Sequence, residues 1–231
     1  MQGAAGTDKG TKATTDATFT PGTLESLATY YWRVDEVLTG NAVKTGPVWK
    51  FTTASPVDDF ESYTDNEGSR IYETWIDGYT NNTGSIVGNP QAPFAEQKIV
   101  HGGLQSMPLD YNNINTPFYS EVEQDFATAQ DWTANGTDTL VLYMQGNLIN
   151  TATQLYVGLE DASKHLAVVV HPDATVTTAA KWIGWKIPLS AFADVNLGKI
   201  RKLYIGVGDR KNPAKGGTGR IYIDDICLAK P

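Results

Sequence analysis

Five carboxylates at the two ends of one long segment are the groups in this chain best suited to chemistry. They lie in Val57-Asp58-Asp59-Phe60-Glu61 and in Ile221-Tyr222-Ile223-Asp224-Asp225-Ile226. Terminal strands of an antiparallel sandwich often lie side by side, which would gather these carboxylates. Like charges that close repel in a partly buried site, by roughly several kcal/mol, unless a cation sits between them. Hard oxygen ligands with no His or Cys at hand suit Ca²⁺ better than a transition metal. The alternative leaves Asp58, Asp59 and Asp225 as solvent-facing or turn carboxylates. Catalytic patterns are harder to find. Glu73, Asp77, Glu121, Glu123 and Glu160 lack a recognisable catalytic context, and Glu121 and Glu123 alternate so as to share one side of a strand. His101, His165 and His171 have no metal-ligand spacing, although His101 beside Gly102-Gly103 is the best-placed general base, and no Gly-x-Ser-x-Gly elbow is present. The Gly-rich stretch Lys211 to Gly219 lacks the following helix that a phosphate loop needs, and reads as a loop between strands. An enzyme is therefore not the expectation.

These groups must be positioned by β-structure. The chain has 231 residues, 18 Lys plus Arg against 26 Asp plus Glu, a net charge of −8 and one cysteine, Cys227. That length buries a full core without staples, and a single cysteine excludes an intrachain disulfide. The acidic balance disfavours nucleic acid as a partner, and no run of about eighteen apolar residues is present to span a membrane. Thr and aromatic residues favour pleated surfaces. Strands are predicted at Thr139 to Gln145, Gln154 to Glu160, Leu166 to His171, Trp182 to Pro188, Lys202 to Val207 and Arg220 to Cys227, separated by Gly, Asn, Asp and Pro. Even spacing of short strands predicts an all-β antiparallel sandwich, a jelly roll. Helix is limited to one turn at Leu189 to Phe192, with Glu121 to Ala129 the only other arguable stretch. Trp185 reads as core and Trp132, after Asp131, as the plug of a loop, while the facing of Tyr143 and Tyr156 depends on which side of the sheet they take.

Residues 1–16 hold almost no large apolar side chain and are expected to be a disordered leader. From 17 to 53, turn signals bracket two alternating runs, Tyr30-Tyr31-Trp32-Arg33-Val34 and Gly46-Pro47-Val48-Trp49-Lys50-Phe51-Thr52-Thr53. These resemble two strands of the C-terminal half of a fibronectin type III domain. The resemblance implies a truncated unit with unpaired edges that packs on its neighbour or on another copy. Residues 54–56 read as a linker, and 57–231 as the sandwich.

Asp58-Asp59-Phe60-Glu61, Trp185-Lys186-Ile187-Pro188-Leu189-Ser190-Ala191-Phe192 and Ile223-Asp224-Asp225-Ile226 together resemble carbohydrate-binding modules with a galactose-binding-type jelly roll. The intervening Thr74 to Tyr79 and His101 to Leu109 are similar to modules of surface and polysaccharide-degrading proteins of planctomycete-like bacteria. The resemblance implies a structural calcium on Glu61 and Asp224, with Asp59 and Asp225 beside them. It also implies a polysaccharide or oligosaccharide ligand, catalytic or surface domains in the same parent chain, and a secreted or cell-surface location. Sugar recognition needs an exposed ring against the pyranose and polar side chains for its hydroxyls. The candidates are Trp75, Asp77 and Tyr79; Tyr111 and Asn112; Trp182; and Arg210. Trp75 and Trp182 fit a core position as well as a platform. The rival functions are a structural or adhesive module without sugar affinity and, behind it, a jelly-roll glycoside hydrolase or polysaccharide lyase.

Overall fold

The computed structural model describes residues 10–13, 18–22, 24, 25 and 28–230. Most of the expected leader therefore lies outside the described residues, and residues 10–13 carry no regular secondary structure. The chain divides into two compact units, Met1–Ala54 and Ser55–Pro231.

In the first unit, β1 (Thr29–Arg33) pairs antiparallel with β4 (Val48–Thr52), and β2 (Glu36–Val37) with β3 (Val43–Lys44). The Asn41 N–H closes a turn on the Leu38 carbonyl, and Gly40 and Asn41 take positive φ, a conformation Gly and Asn adopt most readily. The register sets Tyr30 opposite Phe51 and Trp32 opposite Trp49. Period-two alternation then gathers these four rings on one face, with ring centroids 5.6 Å and 4.7 Å apart within the pairs.

The second unit is a β-sandwich. Its strands are β5 (Ser55–Asp58), β6 (Trp75–Ile76), β7 (Ser85–Val87), β8 (Met107–Asn112), β9 (Ser120–Gln130), β10 (Thr139–Gln145), β11 (Leu155–Asp161), β12 (Leu166–Val170), β13 (Ile183–Pro188), β14 (Ile200–Val207) and β15 (Thr218–Ala229). Two single helical turns, α1 (Ile71–Thr74) and α2 (Gly78–Asn81), flank β6. One sheet has the order β13-β10-β15-β8-β7, with β5 also on β15; the other runs β12-β11-β14-β9-β6. Every pairing is antiparallel. The core lies between the sheets. Leu140, Leu142 and Met144 of β10, with Ile221 and Ile223 of β15, face Leu155, Val157 and Leu159 of β11 and Leu203, Ile205 and Val207 of β14. Each such side chain contributes about 1.5–3 kcal/mol through burial, which pins the register, since a one-residue slip would turn the set to solvent.

Three expectations are corrected. Glu121 to Ala129 is strand, inside the eleven-residue β9, because Val122 and Gln124 alternate inward beside Ile205 and Leu203 of β14. Ser55 and Pro56, read as linker, belong to β5; its ladder with β15 leaves one side free, where a residue lacking an N–H is tolerated. Leu166 to Val170 forms an edge strand whose two end residues are exposed, so it is not buried on both faces.

Candidate functional site on the outer face of the five-stranded sheet

With Val157, Leu159, Leu203, Ile205 and Val122 turned inward, alternation obliges Tyr156, Gly158, Glu160, Lys202, Tyr204, Gly206, Glu121 and Glu123 to face out. Register then arranges them as a lattice. Tyr156, Gly206 and Glu121 stand in one row across β11, β14 and β9, and Gly158, Tyr204 and Glu123 in the next. The glycines are what let the tyrosines lie down: a Cβ on Gly206 would stand 2.0 Å from Tyr156 Cζ, and one on Gly158 would stand 3.2 Å from Tyr204 Cβ. Lying across Gly206, Tyr156 donates its hydroxyl to Glu121 Oε2 at 2.8 Å, and Tyr204 donates to Glu160 Oε2 at 2.8 Å. Lys202 Nζ donates to Glu123 Oε1 at 2.9 Å.

The loop from β14 to β15 reaches back over this lattice. Arg210 sets its guanidinium 5.0 Å from the Tyr204 ring and its Nη1 3.2 Å from Glu121 Oε2. Nη1 is buried and its N–H is not aimed at that oxygen, so the contact is one of charge. Burial raises the Glu121 carboxyl above the usual range, against the pull of Arg210 and the Tyr156 hydroxyl. Burial and the adjacent carboxylate push both tyrosine hydroxyls up, so they remain donors at any physiological pH. Burial lowers Lys202, but Glu123, Asp125 and Glu160 outweigh it, and the ammonium stays charged. Beside Arg210 lies a hollow of about 180 Å³ lined by Gln154, Tyr156, Val168, Val170 and residues 209–212. It offers an apolar patch beside fixed donors and acceptors, the chemistry that a polyhydroxylated ligand needs. The tyrosines, 1 % and 4 % exposed, serve as anchors of the polar lattice and not as open stacking platforms.

Of the residues expected to bind sugar, the structure brings only Arg210 into this site. Trp75 is corrected to core: it is 0 % exposed, packs 6.0 Å from Phe60 and donates its indole N–H to Asp58. Tyr111 is likewise core, its hydroxyl bound to the Thr151 carbonyl. Asp77 is buried and structural, accepting from the N–H groups of Tyr79 and Val87. Asn112 closes a turn by accepting from the Ile114 N–H. Tyr79 is 83 % exposed on α2, which Asn81 ties to the Glu121 carbonyl. Trp182 is half-buried on the opposite sheet, edge-on to His101. The signal for the residues missed was present: Tyr156, Gly158 and Glu160, and Lys202, Tyr204 and Gly206, alternate with apolar residues in two strands.

The expected calcium ligands hold a loop. Glu61 Oε1 accepts from the N–H groups of Leu104 and Gln105. Asp224, fully buried, accepts from His101 and Gly102 on one oxygen and from Asp225 on the other, and burial pushes it up to about 6. Asp225 pairs with His101 Nδ1 at 2.5 Å, and Asp59 closes a local turn with the Glu61 N–H. Asp58 does lie beside β15, opposite Ile226, but turns into the core. The donor set suits calcium in its hard oxygens but not in its arrangement: these oxygens take N–H donors, and among the described residues no three His, Cys, Asp or Glu side chains are grouped to hold a metal.

No protein-family model and no curated protein matches the chain. Solved structures do. An exo-β-agarase superposes with a TM-score of 0.57 at 11 % identity over 77 % of this chain and 25 % of its own, so the chain spans a quarter of that enzyme's length. A structure from work on promiscuous carbohydrate-binding modules of the β-sandwich superfamily gives 0.51 at 11 % identity, covering 88 % of this chain and 74 % of that one. A family 11 carbohydrate-binding module of a Clostridium thermocellum cellulase gives 0.46 at 14 %, covering 77 % and 95 %. The first two likenesses show the fold: this chain has the β-sandwich architecture also found in carbohydrate-binding modules of that superfamily.

Proposed function

We propose that the β-sandwich is a non-catalytic carbohydrate-binding module that takes a polysaccharide or oligosaccharide on the outer face of its five-stranded sheet. The observation that carries the reading is the lattice of Tyr156, Tyr204, Glu121, Glu160, Lys202 and Arg210 bordering a hollow with an apolar floor at Val168 and Val170. A saccharide presents the matching pattern of hydroxyls and C–H faces. The shared fold with carbohydrate-binding modules supports it. The reading includes a location outside the cell, where such polymers are met, and catalytic or surface domains in the same parent chain. The resemblance of residues 17–53 to part of a fibronectin type III domain belongs to the same proposal. Calcium is no part of it, because the carboxylates expected to bind it hold a loop; a melting temperature lowered by EDTA would restore calcium.

Affinity electrophoresis against soluble plant and algal polysaccharides tests the reading. Retardation by at least one polymer, abolished in Arg210→Ala with the fold intact, is expected. No retardation on any polymer favours a structural or adhesive module. Release of reducing sugar or unsaturated product would overturn the non-catalytic assignment.

A further inference from the structure

The border strands of the two sheets differ in how they are protected against pairing with another chain. β6 has two residues between helical turns and β7 has three, β5 contains Pro56, and β13 carries Lys186 and Pro188. Short length, proline and charge are the ordinary protections of a sheet edge. β12 has none of the last two and is longer: Leu166-Ala167-Val168-Val169-Val170 runs five residues without charge, proline or bulge against β11. The His171 N–H donates to the Leu155 carbonyl and the Asp161 N–H to the His165 carbonyl, so residues 165, 167, 169 and 171 turn their backbone groups toward β11. Leu166, Val168 and Val170 therefore turn their N–H and C=O groups outward, and among the described residues no strand pairs with them there. Their side chains stand on the outer face, where Leu166 is 39 % and Val170 45 % exposed.

We propose that β12 pairs antiparallel with β12 of a second copy of this chain, centred on Val168. In that register Val168 faces Val168 and Leu166 faces Val170, and the outward N–H groups of each copy meet the outward C=O groups of the other. A charge at the centre would meet its own copy across the two-fold axis, a penalty that this uncharged strand avoids. Beyond the strand, Lys164 of each copy comes level with Pro172 of the other, one residue from Asp173, so opposite charges stand at both ends. Antiparallel pairing keeps both outer faces on one side of the joined sheet. Leu166 of the second copy then extends the apolar floor that Val168 and Val170 give the hollow beside Arg210, and the two hollows share one continuous surface. The pairing is independent of the saccharide reading, and only the use of this shared floor rests on it.

Sedimentation velocity of the full chain across a concentration series tests the pairing with no saccharide present. A concentration-dependent dimer is expected. Val168→Lys, which sets two ammonium groups face to face on the axis, should weaken it by about tenfold or more. Two double variants at solvent-facing positions read the register. Leu166→Lys with Val170→Lys opposes like charges in both outer pairs and should leave a monomer; Leu166→Lys with Val170→Glu opposes unlike charges at the same positions and should restore the dimer. Circular dichroism matching the parent chain checks that each variant folds. A chain that stays monomeric at every concentration overturns the proposal, as does a dimer that survives Val168→Lys or that responds alike to the two double variants.

Discussion

The two outer faces of the sandwich use the same device and end differently. On the five-stranded sheet Tyr156 lies across Gly206; on the six-stranded sheet Tyr143 lies across Gly184, where a Cβ would come within 2.9 Å of its ring. On the first face the tyrosine hydroxyl joins Glu121, and a hollow is left between it and the β14–β15 loop. On the second, His101 stacks on Tyr143 with ring centroids 3.6 Å apart, and the loop carrying it is held by Glu61, Asp224 and Asp225. Further along that face, Arg220 grips Asp110 through two hydrogen bonds of 2.6 Å and reaches Asn89. Both tyrosines are covered, Tyr156 more fully than Tyr143, and the faces differ in what lies over them: a charged loop residue bordering a hollow on the first, a stacked imidazole on the second.

The comparison breaks most sharply at the glycines. Gly206→Ala should cost about 3 kcal/mol in denaturant unfolding, because the new methyl displaces the Tyr156 ring, and should abolish polysaccharide retardation. Gly184→Ala should cost less and leave retardation intact; equal loss of retardation in both would end the distinction between the faces. Next in size is a pH effect. Asp224 titrates near 6 when folded and in the ordinary aspartate range when unfolded, so the folded state holds the extra proton between those values. Stability should therefore fall as pH rises from about 4 to about 6, by roughly 2 kcal/mol, and be flat above; Asp224→Asn should remove this slope from the melting profile.

Tyr156→Phe removes a donor from a nearly buried carboxylate and should cost about 1.5 kcal/mol by chemical denaturation, with Glu121 raised further. His101→Ala on the opposite face should cost about 1 kcal/mol and uncover Tyr143 beside Trp182. If the roof is what separates the faces, that variant gains a second, weaker retardation by the same polymers, and unchanged mobility would refute the idea. The smallest expected effect is that of EDTA, which should leave the melting temperature where it was.

Much of the fold was legible because alternation is a local property. Thr139 to Gln145 coincides with β10, Trp185 is buried as its place before an apolar run implied, and Trp132 is buried in the loop it was expected to plug. Trp75 was not legible: its strand is two residues long between single helical turns, too short for any periodicity to show which way the ring points. The face proposed to bind saccharide was written in the alternation of β11 and β14, yet its members are distant in sequence and gain meaning only from register. The same holds for Asp224, whose partner His101 lies 123 positions away.

By itself, then, the sequence determined an unstapled, acidic β-sandwich preceded by a separate aromatic hairpin, because side-chain alternation, turn residues and composition act over a few positions. Only the tertiary structure decided that Tyr156 and Tyr204 lie flat over glycines beside Arg210, that Trp75 and Tyr111 belong to the core, and that the acidic ends hold a loop. Those outcomes depend on which strands are neighbours and which loop covers which face, and non-local pairing leaves no trace in any short stretch of chain.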